Sequence, residues 1–116
     1  MKTEDLNQLI FEILDEGKAT DIILLDLNNL SNMIDYMFIV TGRSNRHISS
    51  LADKVSDAVK KQFNIKSVIE GERTSDWILI DTFTTTVNLM TQDVREFYAL
   101  EKLWGASGKS NYVALK

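Results

Sequence analysis

The sequence contains no cysteine and one histidine, His47, among its 116 residues. Without cysteine the chain has no disulfide framework, no thiol nucleophile and no thiolate metal site. A single histidine cannot build a zinc centre unless several carboxylates converge on it, because zinc takes about four ligands. The sequence also lacks an apolar run near the ~18 residues that a membrane-spanning helix needs. We therefore expect no metal, no cofactor and no membrane association.

Dense basic clusters are scarce as well. The 13 Lys and Arg residues are outnumbered by 17 Asp and Glu residues, and the formal net charge is −4. The densest basic groups are two pairs, Arg43 with Arg46 and Lys60 with Lys61. Because nucleic-acid binding relies on clustered cations, we do not expect nucleic acid to be the main partner. A protein partner that is itself basic suits this charge better.

The N-terminal segment lacks the pattern of a secretion signal, because Glu4, Asp5 and Glu12 interrupt its apolar region. Together with the absence of cysteine, this favours a cytoplasmic protein. The length suits a single domain with one core. We expect that domain to span residues 1–104, followed by a small polar tail at residues 105–116.

Hydrophobic periodicity predicts the order helix, two strands, helix, three strands, helix. The helices are expected at residues 3–16, 44–63 and 92–104, and the strands at 21–27, 36–41, 66–70, 76–81 and 84–90. Gly17 is expected to end the first helix in the left-handed conformation. The last two strands are expected to form a hairpin. The sequence therefore predicts an α/β fold, with one mixed sheet of about five strands flanked by helices.

The segment from Gly42 to His47 is the main candidate for a catalytic site. A Gly-Ser junction between a strand and a helix resembles the start of a nucleotidyltransferase signature, and the helix N-terminus can hold an anion. Such an enzyme needs two carboxylates on the next strand to bind a divalent metal. The nearest acids, Asp53 and Asp57, lie four residues apart on the water-facing side of a helix. Because this metal pair is missing, a nucleotide-handling enzyme is kept only as the alternative function.

His47 has two interpretations. It can act as a base for Ser44 or Ser49, but no orienting acid or oxyanion signature accompanies it. A histidine in the first turn of a helix more often bonds to the local backbone or faces solvent. We therefore expect His47 to be structural.

The stretch 70–104 holds both tryptophans, and its helix is rich in aromatic residues. One face of that helix is formed by four residues: Val94, Phe97, Leu100 and Trp104. Tyr98 and Leu103 lie away from this face, and a helix of ~12 residues on a sheet can bury only one stripe. Part of the aromatic surface should therefore remain exposed for a partner, and Trp77 and Met90 can extend it. A core packed with aromatics or a dimer interface would explain the same pattern.

Several segments, taken in order, carry a resemblance to a known family. They are Asp21-Ile-Ile with Leu25-Asp26, Asp35-Tyr36-Met37, Thr41-Gly42 with Ser44 and Arg46-His47, Glu70-Gly71-Glu72, Ser75-Asp76-Trp77, Phe97-Tyr98 and Leu100-Glu101-Lys102-Leu103-Trp104. Over about residues 4–104 the chain resembles the ribosomal silencing factor family, also called Iojap. The resemblance implies a nucleotidyltransferase-like α/β fold without the catalytic acids. It also implies binding to the large ribosomal subunit through ribosomal protein L-fourteen, a block to subunit joining, repression of translation, and homodimers in the free state.

The resemblance further implies a contact surface for the partner. The residues that match the family's distinctive surface are Trp77, Met90, Arg95, Tyr98, Leu100, Glu101, Lys102 and Trp104. The hairpin departs from the family pattern at two places. The segment from Thr82 to Thr86 replaces a Gly-Asp turn, and Asn88 stands where a histidine is common.

Overall fold

The computed structural model describes residues 3–27 and 35–98, which form three helices and five strands in the predicted order. These are α1 (Thr3–Glu16), β1 (Thr20–Asp26), β2 (Tyr36–Gly42), α2 (Asn45–Phe63), β3 (Val68–Glu70), β4 (Trp77–Asp81), β5 (Thr85–Thr91) and α3 (Gln92–Tyr98). The predicted tail and the last part of the predicted final helix lie outside the described residues. None of the described helices has the length and apolar character required to cross a bilayer.

The five strands form one sheet in the order β1-β2-β5-β4-β3. β2 and β5 run parallel, and the other neighbouring pairs are antiparallel. This confirms the predicted mixed sheet and the hairpin of β4 and β5. In the parallel pair, Gly42 is the register partner of Thr91. The C-terminal ends of β2 and β5 therefore lie side by side, and α2 and α3 both begin close to that end of the sheet.

One face of the sheet is covered by α1 and α2, which contribute the larger of two cores. The 3.6-residue period of each helix places a stripe of aliphatic side chains against alternate residues of the strands. The fully buried members include Leu6, Ile10, Leu14, Phe38, Val40, Ile48, Leu51, Val55, Val59, Ile80, Val87 and Leu89. Burial of each such side chain stabilises the fold by about 1.5–3 kcal/mol before entropy is counted.

The opposite face carries a smaller core and holds α3. Its buried members are Leu25, Leu27, Met37, Ile39 and Met90, and the partly buried side chains of Ile23, Trp77 and Val94 pack against them. The buried residues of the strands are divided between the two cores because neighbouring residues of a strand point to opposite faces of the sheet. Through Val94, α3 is thus attached to the second face, on the side away from α1 and α2.

The end of α1 differs from the prediction. Gly17 does not take the left-handed conformation; Lys18 takes it instead, with a φ of 69°. Glycine is required at position 17 for a steric reason, because a Cβ there would lie 2.5 Å from Cδ2 of Leu51. The prediction for Gly17 was wrong because the sequence reveals a glycine after a helix but not the close approach of α2.

Candidate functional site

Three aromatic side chains from β4 and α3 form a continuous surface, called here the aromatic patch: Trp77, Phe97 and Tyr98. The ring centroids of Trp77 and Tyr98 are 4.8 Å apart, at an interplanar angle of 55°. Those of Phe97 and Tyr98 are 4.9 Å apart in an edge-to-face arrangement. Phe97 is 80% exposed and Tyr98 is 52% exposed. A surface of this kind, large and apolar with polar hydroxyl and indole groups, is typical of a protein-docking site.

Trp77 is held in place by β5. It is the register partner of Met90, and its indole Nε1 donates a hydrogen bond to Oδ1 of Asn88 at 2.9 Å. Asn88 is buried, and its Nδ2 approaches the carbonyl of Phe38 at 3.5 Å. The departure from the family pattern at position 88 therefore keeps an acceptor for the indole. Trp77 presents a half-buried ring whose orientation is determined by the sheet.

Arg95 attaches α3 to the sheet. Its side chain is 5% exposed, and Nη1 donates hydrogen bonds to the carbonyl of Asp21 and to Oγ1 of Thr41. Asp21 lies at an irregularity in the pairing of β1 with β2 and has a φ of 49°, in the left-handed region. A buried guanidinium requires such acceptors, because an unpaired buried charge is costly. Arg95 thus links α3 to the start of β1 and the end of β2.

Phe97 was placed on the same helix face as Val94, but in the structure only Val94 of the two packs against the sheet, and Phe97 is exposed. Both Val94 and Arg95 are directed towards the sheet, so the inward direction of α3 lies between them. Phe97 is about 160° round the helix from Arg95, and it therefore faces solvent. The helical wheel did not separate Val94 from Phe97 because it could not show that Arg95 is buried against the sheet.

The residues predicted from the resemblance as the contact surface are divided by the structure. Tyr98 is exposed and Trp77 is partly exposed, and the two are in contact. Met90 is fully buried in the core against which Trp77 packs, and Arg95 is nearly buried and attaches α3 to the sheet, so neither residue forms the exposed surface of the patch. The remaining predicted residues, Leu100, Glu101, Lys102 and Trp104, lie outside the described residues.

The surroundings of the aromatic patch are acidic. Asp93 and Glu96 are exposed on α3, and Asp76 is exposed immediately before Trp77. The carbonyl of Asp76 accepts a hydrogen bond from the amide of Thr91 at 3.0 Å, which holds Asp76 beside the start of α3. Carboxylates around an apolar centre suit a partner with basic groups at its rim.

The Gly42–His47 junction has a structural role. His47 is buried; its Nδ1 accepts a hydrogen bond from the amide of Arg43 at 2.9 Å, and its Nε2 lies 2.8 Å from the carbonyl of Gly17. Only the neutral form with its proton on Nε2 satisfies both contacts. Neither ring nitrogen is therefore free to accept a proton from Ser44, whose Oγ caps α2 by accepting from the amide of His47 at 3.1 Å. The prediction of a structural histidine is confirmed.

The glycine of this junction is explained by packing. A Cβ at Gly42 would lie 2.4 Å from Cγ2 of Ile48, so glycine is needed where β2 turns into α2. Asp53 and Asp57 are exposed on α2, as their spacing predicts. Within residues 3–27 and 35–98, no group of three or more His, Asp or Glu side chains is arranged to hold a metal ion.

Comparison with known proteins gives consistent results for sequence and structure. The family described as "Ribosomal silencing factor during starvation" matches residues 1–115. The ribosomal silencing factor RsfS of Haemophilus influenzae is 40% identical over 99 residues, which are 85% of this chain and 97% of that protein. A crystal structure of a protein from Chromobacterium violaceum has a TM-score of 0.86 at 33% identity, with coverage of 98% of this chain and 95% of that chain. A Mus musculus protein named "Mitochondrial assembly of ribosomal large subunit protein 1" is 30% identical over 103 residues, which are 86% of this chain and 45% of that protein.

Proposed function

The chain belongs to the ribosomal silencing factor family, and from this premise we propose that it binds the large ribosomal subunit through ribosomal protein L-fourteen. In the bound state its body occupies space that the small subunit needs, so that subunit association is blocked and translation is repressed. No bond is made or broken in this mechanism. The observation that carries the proposal is the aromatic patch, because its rings contact one another and two of them are exposed on α3.

The energetics of docking follow from the contacts of the patch. Tyr98 can lose its remaining exposure against the partner, and its ring is already positioned by Trp77. Little conformational freedom is then lost on binding, which favours affinity. The acidic residues around the patch, Asp76, Asp93 and Glu96, suit basic groups on the partner. Such pairs affect orientation and association rate more than affinity.

Co-sedimentation with purified large subunits tests the proposal. We expect the wild type to pellet with the subunits and to reduce ribosome formation when small subunits are added. Tyr98→Ala should weaken binding by about 2 kcal/mol or more, which is roughly a 30-fold rise in Kd. The matched control is Phe83→Ala, since Phe83 is 68% exposed on the β4–β5 turn, at the other end of the hairpin. Wild-type protein that stays in the supernatant, or equal binding by the two variants, would refute the proposed docking site.

The same patch can also join two copies of the chain into a homodimer. Analytical ultracentrifugation of the free protein, with and without ribosomal protein L-fourteen, tests this use. If the surface is shared, addition of the ribosomal protein should convert dimers into one-to-one complexes. A dimer that persists together with bound ribosomal protein would show that self-association uses another surface.

A further inference from the structure

Four cationic residues line one depression between the end of α1 and the start of α2, called here the basic depression. They are Lys18, Arg43, Arg46 and Lys54. All four residues are exposed. Glu16 contributes the one carboxylate among the lining residues. The depression therefore concentrates positive charge on a protein whose formal net charge is −4.

These cations are not neutralised within the part of the chain that the structure describes. No hydrogen bond or ion pair joins any of the four side chains to another described residue, whereas the neighbouring Arg73 lies 3.7 Å from a carboxylate oxygen of Asp53. Four like charges in one depression repel one another, and a bound polyanion would relieve that repulsion. Because the depression is open and is lined by four cations, it has room for a chain of phosphates.

The basic depression and the aromatic patch lie at the same end of the sheet. Gly42 and Thr91 are register partners, Arg43 follows the first, and α3 starts directly after the second. The depression lies on the side of α1 and α2, whereas the patch lies on the opposite face. A large partner that contacts α3 can therefore also reach Arg43 and Arg46 around this end of the sheet.

We propose that the basic depression binds the phosphodiester backbone of ribosomal RNA next to the protein that the aromatic patch contacts; this inference rests on the proposed function. The contact is independent of base sequence, since it relies on charge alone. It orients the protein, because the depression concentrates positive charge on a chain whose net charge is negative. The protein contact then supplies the apolar part of the affinity, and the RNA contact adds a salt-dependent part.

Salt-dependent binding to purified large subunits tests the inference with two double variants. Arg43→Gln with Arg46→Gln removes two cations from the depression, and Lys60→Gln with Lys61→Gln removes two exposed cations from the other end of α2. We expect the first variant to bind roughly tenfold more weakly near 0.15 M salt. Its plot of log affinity against log salt should be shallower by about 1.5–2. The second variant should behave like the wild type.

Binding to isolated ribosomal protein L-fourteen separates this inference from the proposed function. The Arg43/Arg46 variant should bind that protein as tightly as the wild type. If the wild type does not bind large subunits, the proposed function fails. If the wild type binds but the Arg43/Arg46 and Lys60/Lys61 variants have equal affinities and salt slopes, the proposed function stands and the RNA contact is refuted.

Photocrosslinking identifies the chemical class of the bound anion. Ser50 is exposed and lines the basic depression, so a photoreactive phenylalanine derivative can replace it there. Irradiation on large subunits should give an adduct that ribonuclease shortens. An adduct with ribosomal protein alone, or no adduct with RNA, would overturn the proposal.

Discussion

Replacement of Arg95 by methionine tests whether α3 depends on a buried guanidinium. Methionine retains much of the length of the side chain, so that the loss of hydrogen bonds is separated from the creation of a cavity. Nη1 of Arg95 donates to the carbonyl of Asp21 and to Oγ1 of Thr41. Hydrogen bonds of charged groups contribute about 1.5–3 kcal/mol each. The hydrogen bond to Oγ1 of Thr41 is buried, so that water cannot easily replace the guanidinium there, whereas the bond to the carbonyl of Asp21 is only partly buried.

We therefore expect the attachment of α3 to the sheet to be weakened by about 2–4 kcal/mol. The full cost of an unpaired acceptor applies at Thr41, whereas solvent reduces the cost at the carbonyl of Asp21. Removal of a buried charge offsets part of both costs. The described part of α3, Gln92–Tyr98, is too short to be stable without its contacts to the sheet. We expect α3 to detach while the sheet stays folded, and binding to large subunits to fall accordingly. Hydrogen exchange should show lost protection in α3 and retained protection in β2 and β5.

Glu96→Gln is the control, since Glu96 is exposed on the same helix and the amide oxygen can still accept from Gln92. It should preserve the protection of α3. Full protection of α3 in Arg95→Met together with normal binding would refute the anchoring role. Full protection with lost binding would instead assign Arg95 to the contact surface, as the family resemblance predicts.

Two further substitutions examine the support beneath the aromatic patch. Met90→Ala removes a fully buried side chain from the smaller core. The free energy of unfolding, measured by urea denaturation, should fall by about 2–5 kcal/mol. A decrease of less than about 1 kcal/mol would contradict the assignment of Met90 to the core. Asn88→Ala leaves the indole N–H of Trp77 unpaired and should cost about 1–3 kcal/mol, whereas Asn88→His should retain most of the stability because an imidazole nitrogen can accept from the indole. Equal stability of the two Asn88 variants would show that the hydrogen bond is unimportant.

Local patterns in the sequence were sufficient for the order of elements and for the faces of most of them. The apolar stripe of α2 is formed by residues within a few positions of one another, and so is the alternation of side chains between the two faces of the sheet in β4 and β5. Both patterns are present in the structure. The cap at Ser44 and one of the two ring contacts of His47 also depend on near neighbours, whereas the other ring contact is with Gly17. The same locality explains why the fold class was predictable.

The candidate site was predicted only in part, because its details depend on residues that are distant along the chain. The burial of Arg95 depends on acceptors 74 and 54 residues away. Once Arg95 is turned inward, Phe97 must face solvent. The basic depression likewise forms only when folding brings Lys18 beside the start of α2.

The sequence by itself determined which segments are helices and strands, and which of them are amphipathic. The period of the hydrophobic residues, 3.6 in a helix and 2 in a strand, is visible within a short segment of the sequence. Only the tertiary structure decided which aromatic rings are exposed and where the unpaired cations meet. The exposure of a ring and the distance between two charges depend on contacts between segments that are distant along the chain. A short stretch of sequence does not determine those contacts.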